Sequence, residues 1–360
     1  MTSLNNLSDK FIMKFARVPI SGKIFFLQNL SVMIKAGVPL DQALKTLGEQ
    51  GKNRKLEMII NEMIIKVNQG KSFSESLEPY KYDFGEMFIN MIKAGEAGGN
   101  LESVLQKLYL QTKRDHTVRS KIKNALTYPA IIIVAMVFIA FFMAFFVLPN
   151  ITKMFADINT QLPLVTRVLI GFSDFCQNNV VAIIIVCSLL VLGFIEAMRT
   201  KRGRHIFDLI LLEIPIVSGI IKKINLASLA RNLSSLIQTD IPIDQSLVIT
   251  SRVLNNSVFR LALAEAAEQV KKGKKLDLIL KNNKKIFPPL LIQMIAIGEE
   301  TGSLEEILQN LADFYEEDVS QTMDTLPTII EPVLMLTIGI GVAGIALAIL
   351  MPIYSLSSSI

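Results

Sequence analysis

Apolar residues recur at helical spacing along most of this chain, and at three places they merge into unbroken runs. Phe26, Leu27, Leu30, Met33 and Ile34 mark one face of a first amphipathic helix. Gly37-Val38-Pro39 breaks it. Pro39 suits the first turn of the next helix, where its missing N–H is harmless and Asp41 favours the positive helix end. A polar turn from Gly51 to Arg54 leads into a helix over Leu56–Val67, closed by Gly70 as a C-cap, and Ser72 to Glu75 reads as a capping box. Further helices follow, and strand signals are nearly absent. The uncharged runs span Ala130–Leu148, Val180–Ile195 and Pro332–Met351. A bilayer core takes roughly 20 helical residues, so all three are expected to cross a membrane, with Glu196 and Arg199 reaching headgroups beyond the second.

The pattern occurs twice at an offset of 203 residues. Asn29-Leu30-Ser31 returns as Asn232-Leu233-Ser234. Pro39, Asp41, Gln42 and Leu44 return as Pro242, Asp244, Gln245 and Leu247, and Phe84 as Phe287. Gly70-Lys71 returns as Gly273-Lys274, and Pro149 as Pro352. The apolar stripe is kept by Leu229, Ala230, Leu233, Leu236 and Ile237. The expected fold is therefore all-α: two homologous cytoplasmic helical-bundle domains of about six helices each, plus three transmembrane helices.

With 51% hydrophobic and 19% charged residues, the composition fits soluble domains alternating with membrane segments. Charge sets the expected topology. Lys113, Arg114, Arg119, Lys121 and Lys123 precede the first span, and Arg199, Lys201, Arg202 and Arg204 follow the second; between them, Asn150–Asn179 holds only Lys153 and Arg167 as basic residues. The positive-inside rule then makes both repeats and the N-terminus cytoplasmic, with the loop and the C-terminal tail outside. The start of the chain, with Asp9, Lys10 and Lys14, lacks the apolar region of a signal peptide. Residues 1–125 carry a net charge of +7 and residues 199–325 none, so the first repeat either faces anionic lipid or an acidic partner, or simply follows the positive-inside bias. Dispersed basic residues without aromatic interleaving argue against nucleic acid.

The sharpest local motif runs from Met91 to Glu102, with Gly95-Glu96 and Gly99, and is matched from Met294 to Glu305 by Gly298-Glu299 and Gly302. One helix is expected to end at the first glycine. The second glycine permits a positive φ, and Asn100 or Ser303 caps the next helix, Ser303 forming a capping box with Glu306. Glu96 and Glu299 either belong to a tight helix-turn-helix or meet a partner or an inter-domain basic group. Glu331, at the entrance to the last span, is either an interfacial carboxylate or a pairing partner for another span or an incoming subunit. Gly339, Gly341, Ala343, Gly344 and Ala348 offer a small-residue face for close helix approach. The run Glu316-Glu317-Asp318 with Asp313 is a solvated face or meets a basic surface. Cys176 and Cys187, with distant His116 and His205, form no metal set, and no phosphate loop, H-E-x-x-H or G-x-S-x-G is present. No catalytic, cofactor-binding or metal-binding residues are expected.

Ala36-Gly37-Val38-Pro39-Leu40-Asp41-Gln42-Ala43-Leu44, the two Gly-Glu turns, Glu331-Pro332 and a membrane span after each copy resemble one family over about Lys23–Tyr354. It is the inner-membrane platform protein of type IV pilus assembly and type II secretion machines, the F-domain family. The resemblance implies a multi-pass inner-membrane protein without enzymatic activity. Its partners would be a hexameric cytoplasmic assembly ATPase, other inner-membrane machine components, and pilins or pseudopilins, with a homo-oligomer at the base. A transporter is disfavoured because the duplicated part is mostly soluble; the alternative is a membrane-anchored scaffold or receptor unrelated to pili. The expected layout is a lead at 1–22, shorter than in many members, repeats at 23–125 and 199–325, spans at 126–149, 180–198 and 326–354, a periplasmic loop at 150–179 and a tail at 355–360.

Overall fold

The structure is a computed structural model that describes residues 13, 16–51, 53–147, 149, 167, 171, 174–175 and 178–357. Most of the expected lead and of the 150–179 loop, Cys176 and the last three residues lie outside the described residues. The chain divides into two compact units, one of residues 1–119 with 208–319, the other of 120–207 with 320–360.

The first unit holds both repeats. Copy one contains α1 (Ile20–Lys35), α2 (Leu40–Gln50), α3 (Arg54–Asn68), α4 (Phe73–Leu77), α5 (Lys81–Phe84), α6 (Glu86–Ala97) and the start of α7 (Leu101–Phe142). Copy two contains α10 (Val217–Ile237), α11 (Ile243–Val253), α12 (Ser257–Lys271), α13 (Leu276–Leu280), α14 (Pro289–Thr301) and the start of α15 (Leu304–Ser357). The starts of α2, α3, α4, α6 and α7 recur 203 residues later. Their turns recur too. After α1, Val38 N–H reaches Met33 O (3.0 Å), and after α10, Ile241 N–H reaches Leu236 O (3.3 Å); this is the bond that closes a helix through a left-handed residue. That residue is Gly37 in copy one and Asp240 in copy two. Pro39 and Pro242 sit one position earlier than expected, as the extended residues before α2 and α11, because a proline φ near −55° serves as well there as inside the first turn. Ser72 forms its capping box with Glu75.

Each copy has its own core, and one compensated exchange shows how the duplicate keeps its packing. Phe84 meets Phe26 of α1 edge-on at 6.1 Å, whereas its counterpart Phe287 meets Phe259 of α12 at 5.7 Å. Leu229 stands where Phe26 was, and Leu56 where Phe259 is; all four are fully buried. The ring has moved from one neighbour to another and the volume filled is kept. The cores are not sealed from each other, since Leu236 and Ile249 of copy two join the core of copy one.

The second unit is built on three helices long and apolar enough to cross a membrane: α7 with a π-turn at Met143–Val147, α8 (Val180–Arg199) and α15. The expected division between repeat and span, at 125/126 and 325/326, falls inside continuous helices. The helical spacing of the last amphipathic turns runs directly into the apolar run, and the helix continues through the prolines found there. Pro129 and Pro332, at the same register in the two copies, lie within these helices. A short helix, α9 (Lys201–Glu213), follows α8 after one residue, Thr200.

Candidate functional site: the Gly-Glu turns and the seam between the repeats

Glu96 and Glu299 occupy one geometry twice. The Glu96 carboxylate accepts the backbone N–H groups of Phe73 (2.5 Å) and Ser74 (2.8 Å), the open first turn of α4. Glu299 accepts those of Leu276 (2.9 Å) and Asp277 (3.2 Å), the first turn of α13. A helix start leaves its first N–H groups without partners and carries partial positive charge, so a carboxylate held there is favourable. Both side chains are half-buried, and a cavity of about 640 Å³ borders Glu96, Ser74, Glu75 and Lys93.

The glycines around them divide two tasks. The helices do not end at Gly95 and Gly298, as the sequence suggested, but continue to Ala97 and Thr301. Gly95 and Gly298 are buried because the next helix passes against them. A Cβ at Gly95 would stand 2.7 Å from Val104 Cγ2, and one at Gly298 would stand 2.9 Å from Leu304 Cα. Gly99 (φ 68°) and Gly302 (φ 72°) supply the left-handed residue that turns the chain. After Gly99, Asn100 N–H returns to Gly95 O (2.9 Å). The Ser303 hydroxyl lies 2.6 Å from that of Thr301, which occupies the group expected to join a capping box with Glu306.

Asp41 and Asp244 lie in the first turns of α2 and α11, Asp41 exposed and Asp244 half-buried. Glu331 is exposed on α15, one residue before Pro332, with no cation within ion-pair distance among the described residues. A Cβ at Gly339, Gly341 or Gly344 would meet nothing within 4 Å, so this small-residue face is uncovered; the Ala348 side chain lies outside the described residues.

A polar seam joins the two repeats, and it uses the acidic run expected to be a solvated face or to meet a basic surface. The buried Arg231 side chain of α10 meets Asp313 (2.5 Å) and, through two nitrogens, Glu316 (2.7 and 2.9 Å) on α15. Arg114 of α7 reaches Asp313 from the other copy at 2.6 Å. Gln111 donates to Asn232 (2.8 Å), and Lys107 Nζ donates to Gln238 O (2.8 Å). Lys223 pairs with Asp318 at 2.7 Å, so the acidic run meets basic groups of its own chain. The duplication hides this seam, because Asn29, the counterpart of the buried Asn232, is only half-buried and bonds its own helix at Phe25 O. Burial raises the Asp313 carboxyl, but the hydrogen bond and charge of Arg231 outweigh it and hold the group below its usual range. Asp115 lies beside this network. Burial pushes its carboxyl up to about 6; Arg119 opposes that shift, Glu316 reinforces it and Arg231 opposes it. In copy one a buried pair, Lys55–Asp83 (2.8 Å), ties Ala16 O (2.7 Å) and Val18 N–H to the domain. Val258 and Ile286 replace the pair in copy two, the apolar exchange that a buried ion pair tolerates. Among the described residues no group of three or more His, Cys, Asp or Glu side chains is placed to hold a metal ion.

The family described as type II secretion system (T2SS), protein F, matches residues 26–149 and again residues 229–352. The type IV pilus assembly protein PilC of Myxococcus xanthus is 31% identical over 95% of this chain and 82% of its own length. PilC of Thermus thermophilus is 32% identical over 92% and 81%, and the type II secretion system protein F of Pseudomonas aeruginosa 31% over 92% and 81%. The two matches coincide with the two structural copies and with the apolar helix that each leads into, and on these grounds the chain belongs to the type II secretion system protein F family.

Proposed function

We propose that this protein is the inner-membrane platform of a type IV pilus or type II secretion machine. It has no chemistry of its own to run; it couples a hexameric cytoplasmic assembly ATPase to the polymerisation of pilins or pseudopilins. The observation that carries this reading is the doubled family domain, each copy continuing without a break into an apolar helix. The names of relatives from both machines support it, and their identities, 31% and 32% on the pilus side and 31% on the secretion side, favour neither machine. The basic flanks of α7 and α8 support a cytoplasmic N-terminus and cytoplasmic repeats, with the 150–179 segment and the tail outside. The exposed small-residue face of α15 and the carboxylate of Glu331 are the groups proposed to meet another span, a second copy or an incoming subunit.

Affinity purification of the tagged full chain from its native membrane in mild detergent tests the reading. Recovery of a hexameric secretion-type ATPase is expected, and the accompanying pilins or pseudopilins identify the machine. Intact protein that brings down neither would refute it. Topology reporters after Lys123 and Arg204 are expected to read cytoplasmic and one after Thr160 periplasmic; a periplasmic signal at Arg204 would refute the three-span arrangement.

A further inference from the structure

Helix α9 is held by one side and bare on the other. On the held side, the buried Asp208 carboxylate accepts Ser257 N–H (2.8 Å) at the start of α12, and Asp208 O accepts from the Asn256 side chain (3.3 Å). On the opposite side Ile210 and, one turn earlier, Ile206 face outward, with Leu209 beside them and Ile214 just past the end of the helix, and Ile210 is 53% exposed. Ile216 extends this apolar surface. It is 65% exposed although its φ of 69° is strained for a β-branched residue. A soluble domain has no reason to hold an isoleucine there with its side chain in water.

Beside this face lies a cavity of about 700 Å³, lined by Leu209, Leu212, Lys222, Lys281, Lys284 and Lys285 among others. Lys281 is paired with Asp277 (2.9 Å). Lys222, Lys284 and Lys285 meet no carboxylate within ion-pair distance among the described residues, and Glu213 is the one carboxylate in the lining. Arg199, Lys201, Arg202 and Arg204 precede the helix in sequence. Leu209 follows the last residue of α8 by ten positions, so the chain carries it no more than about 20 Å beyond the end of that span.

We propose that α9 is an interfacial helix whose Leu209–Ile210–Ile214–Ile216 surface enters the bilayer at headgroup depth, and that the lysine-lined cavity beside it binds the headgroup of an anionic phospholipid. The occupant follows from three features together. The face is apolar, it emerges directly from a membrane span, and the groups around it are cationic, as where basic residues gather beside a span or on an amphipathic helix. A protein occupant would need an acidic surface of its own to meet the three unpaired lysines, whereas an anionic leaflet beside the span supplies that charge. The inference rests on α8 crossing the membrane and not on the platform role.

The chain contains no tryptophan, so one introduced residue reports alone. The full-length Ile210→Trp protein, and separately Ile216→Trp in case the first disturbs the helix, would be reconstituted into phosphatidylethanolamine vesicles with a minority of phosphatidylglycerol. Bromines would be carried by one lipid or the other. Leu261→Trp, exposed on α12, serves as reference. Both reporters are expected to be quenched by brominated lipid and the reference to be spared. Phosphatidylglycerol is expected to quench more per molecule than phosphatidylethanolamine. Adding Lys284→Gln and Lys285→Gln should cut that preference roughly 25-fold, from a factor of about five per lysine, while quenching by phosphatidylethanolamine persists; Glu213→Gln should raise it. Reporters spared like the reference would overturn the interfacial helix, and would leave the face to a protein. Equal quenching by the two lipids, or a preference indifferent to the lysine changes, would overturn the anionic site. No outcome depends on an ATPase or a pilin.

Discussion

Glu299→Ala and Glu96→Ala separate a folding role from a contact role, and the structure orders them. Each carboxylate accepts two backbone N–H groups at the start of a short helix. A hydrogen bond to a charged group contributes about 1.5–3 kcal/mol when sheltered. These carboxylates are half-exposed, so water recovers part of it, and loss of a helix cap typically costs about 1 kcal/mol. Copy one has a reserve. Ser72 still accepts Glu75 N–H, and Glu75 still accepts Ser72 N–H, after Glu96 is gone. Copy two has Lys275 at the position of Ser72, and no side-chain cap there. Glu299→Ala should therefore cost about 2 kcal/mol and Glu96→Ala about 1 kcal/mol, with glutamine restoring roughly half in each case. For a unit of this size about 1 kcal/mol moves the midpoint by about 2–4 °C. The assay is the fraction of detergent-solubilised full-length protein that stays monodisperse on size exclusion after heating. Equal midpoints for wild type and both alanine variants, with pilus or secretion assembly abolished, would refute the reasoning and give the carboxylates to a partner.

Gly298→Ala should destabilise more than Gly95→Ala in the same heating assay. Helix propensity favours alanine by about 1 kcal/mol at both sites, but the new methyl meets the Leu304 backbone at 2.9 Å in one and only side-chain atoms, those of Val104, in the other; overpacking costs about 1–3 kcal/mol. Arg231→Met should lose about 2 kcal/mol, since it strips Glu316 of its two-nitrogen partner and leaves Asp313 to Arg114 alone; an unchanged midpoint would show the seam to be dispensable. Asp115→Asn should flatten the pH dependence of stability. The folded Asp115 carboxyl lies near 6, above its ordinary value of 3.8, so its contribution is full below 3.8 and is lost as pH rises through 6. The wild-type midpoint should fall relative to the variant between pH 4 and 7, by on the order of 2 kcal/mol at most after screening.

What the sequence made legible was whatever acts within one helical turn or repeats along the chain. Pro39 and Pro242, the box at Ser72, the left-handed residues Gly99 and Gly302, and the three apolar runs carry local rules that hold wherever the segment packs. Gly95 and Gly298 were misread for a physical reason. A glycine that ends a helix and one that admits a neighbouring helix look alike until Val104 and Leu304 are seen against them. Arg231 was invisible for another. Its counterpart in copy one is Gln28, so the duplication offered no pair to compare, and its partners Asp313 and Glu316 lie more than 80 residues away. Glu96 stood out by repetition, but the N–H groups it accepts are 22 and 23 residues upstream, beyond any local pattern.

The continuity of α7 and α15 determines how a displacement would travel along either helix. With a rise of about 1.5 Å per residue, these helices of 42 and 54 residues extend roughly 60 and 80 Å. A loop between repeat and span would dissipate a small movement in backbone torsions, whereas a helix transmits it along its hydrogen-bonded ladder. That ladder is weakest where a proline withholds its N–H, and bending concentrates there. Both copies place a proline at the same register, Pro129 and Pro332, ahead of the apolar run. The two rods therefore share one compliant point, and α15 has further prolines at Pro327 and Pro352. A displacement imposed at the Arg231 seam, which joins the third and fourth turns of both rods through Gln111, Arg114, Asp313 and Glu316, would reach both helices together.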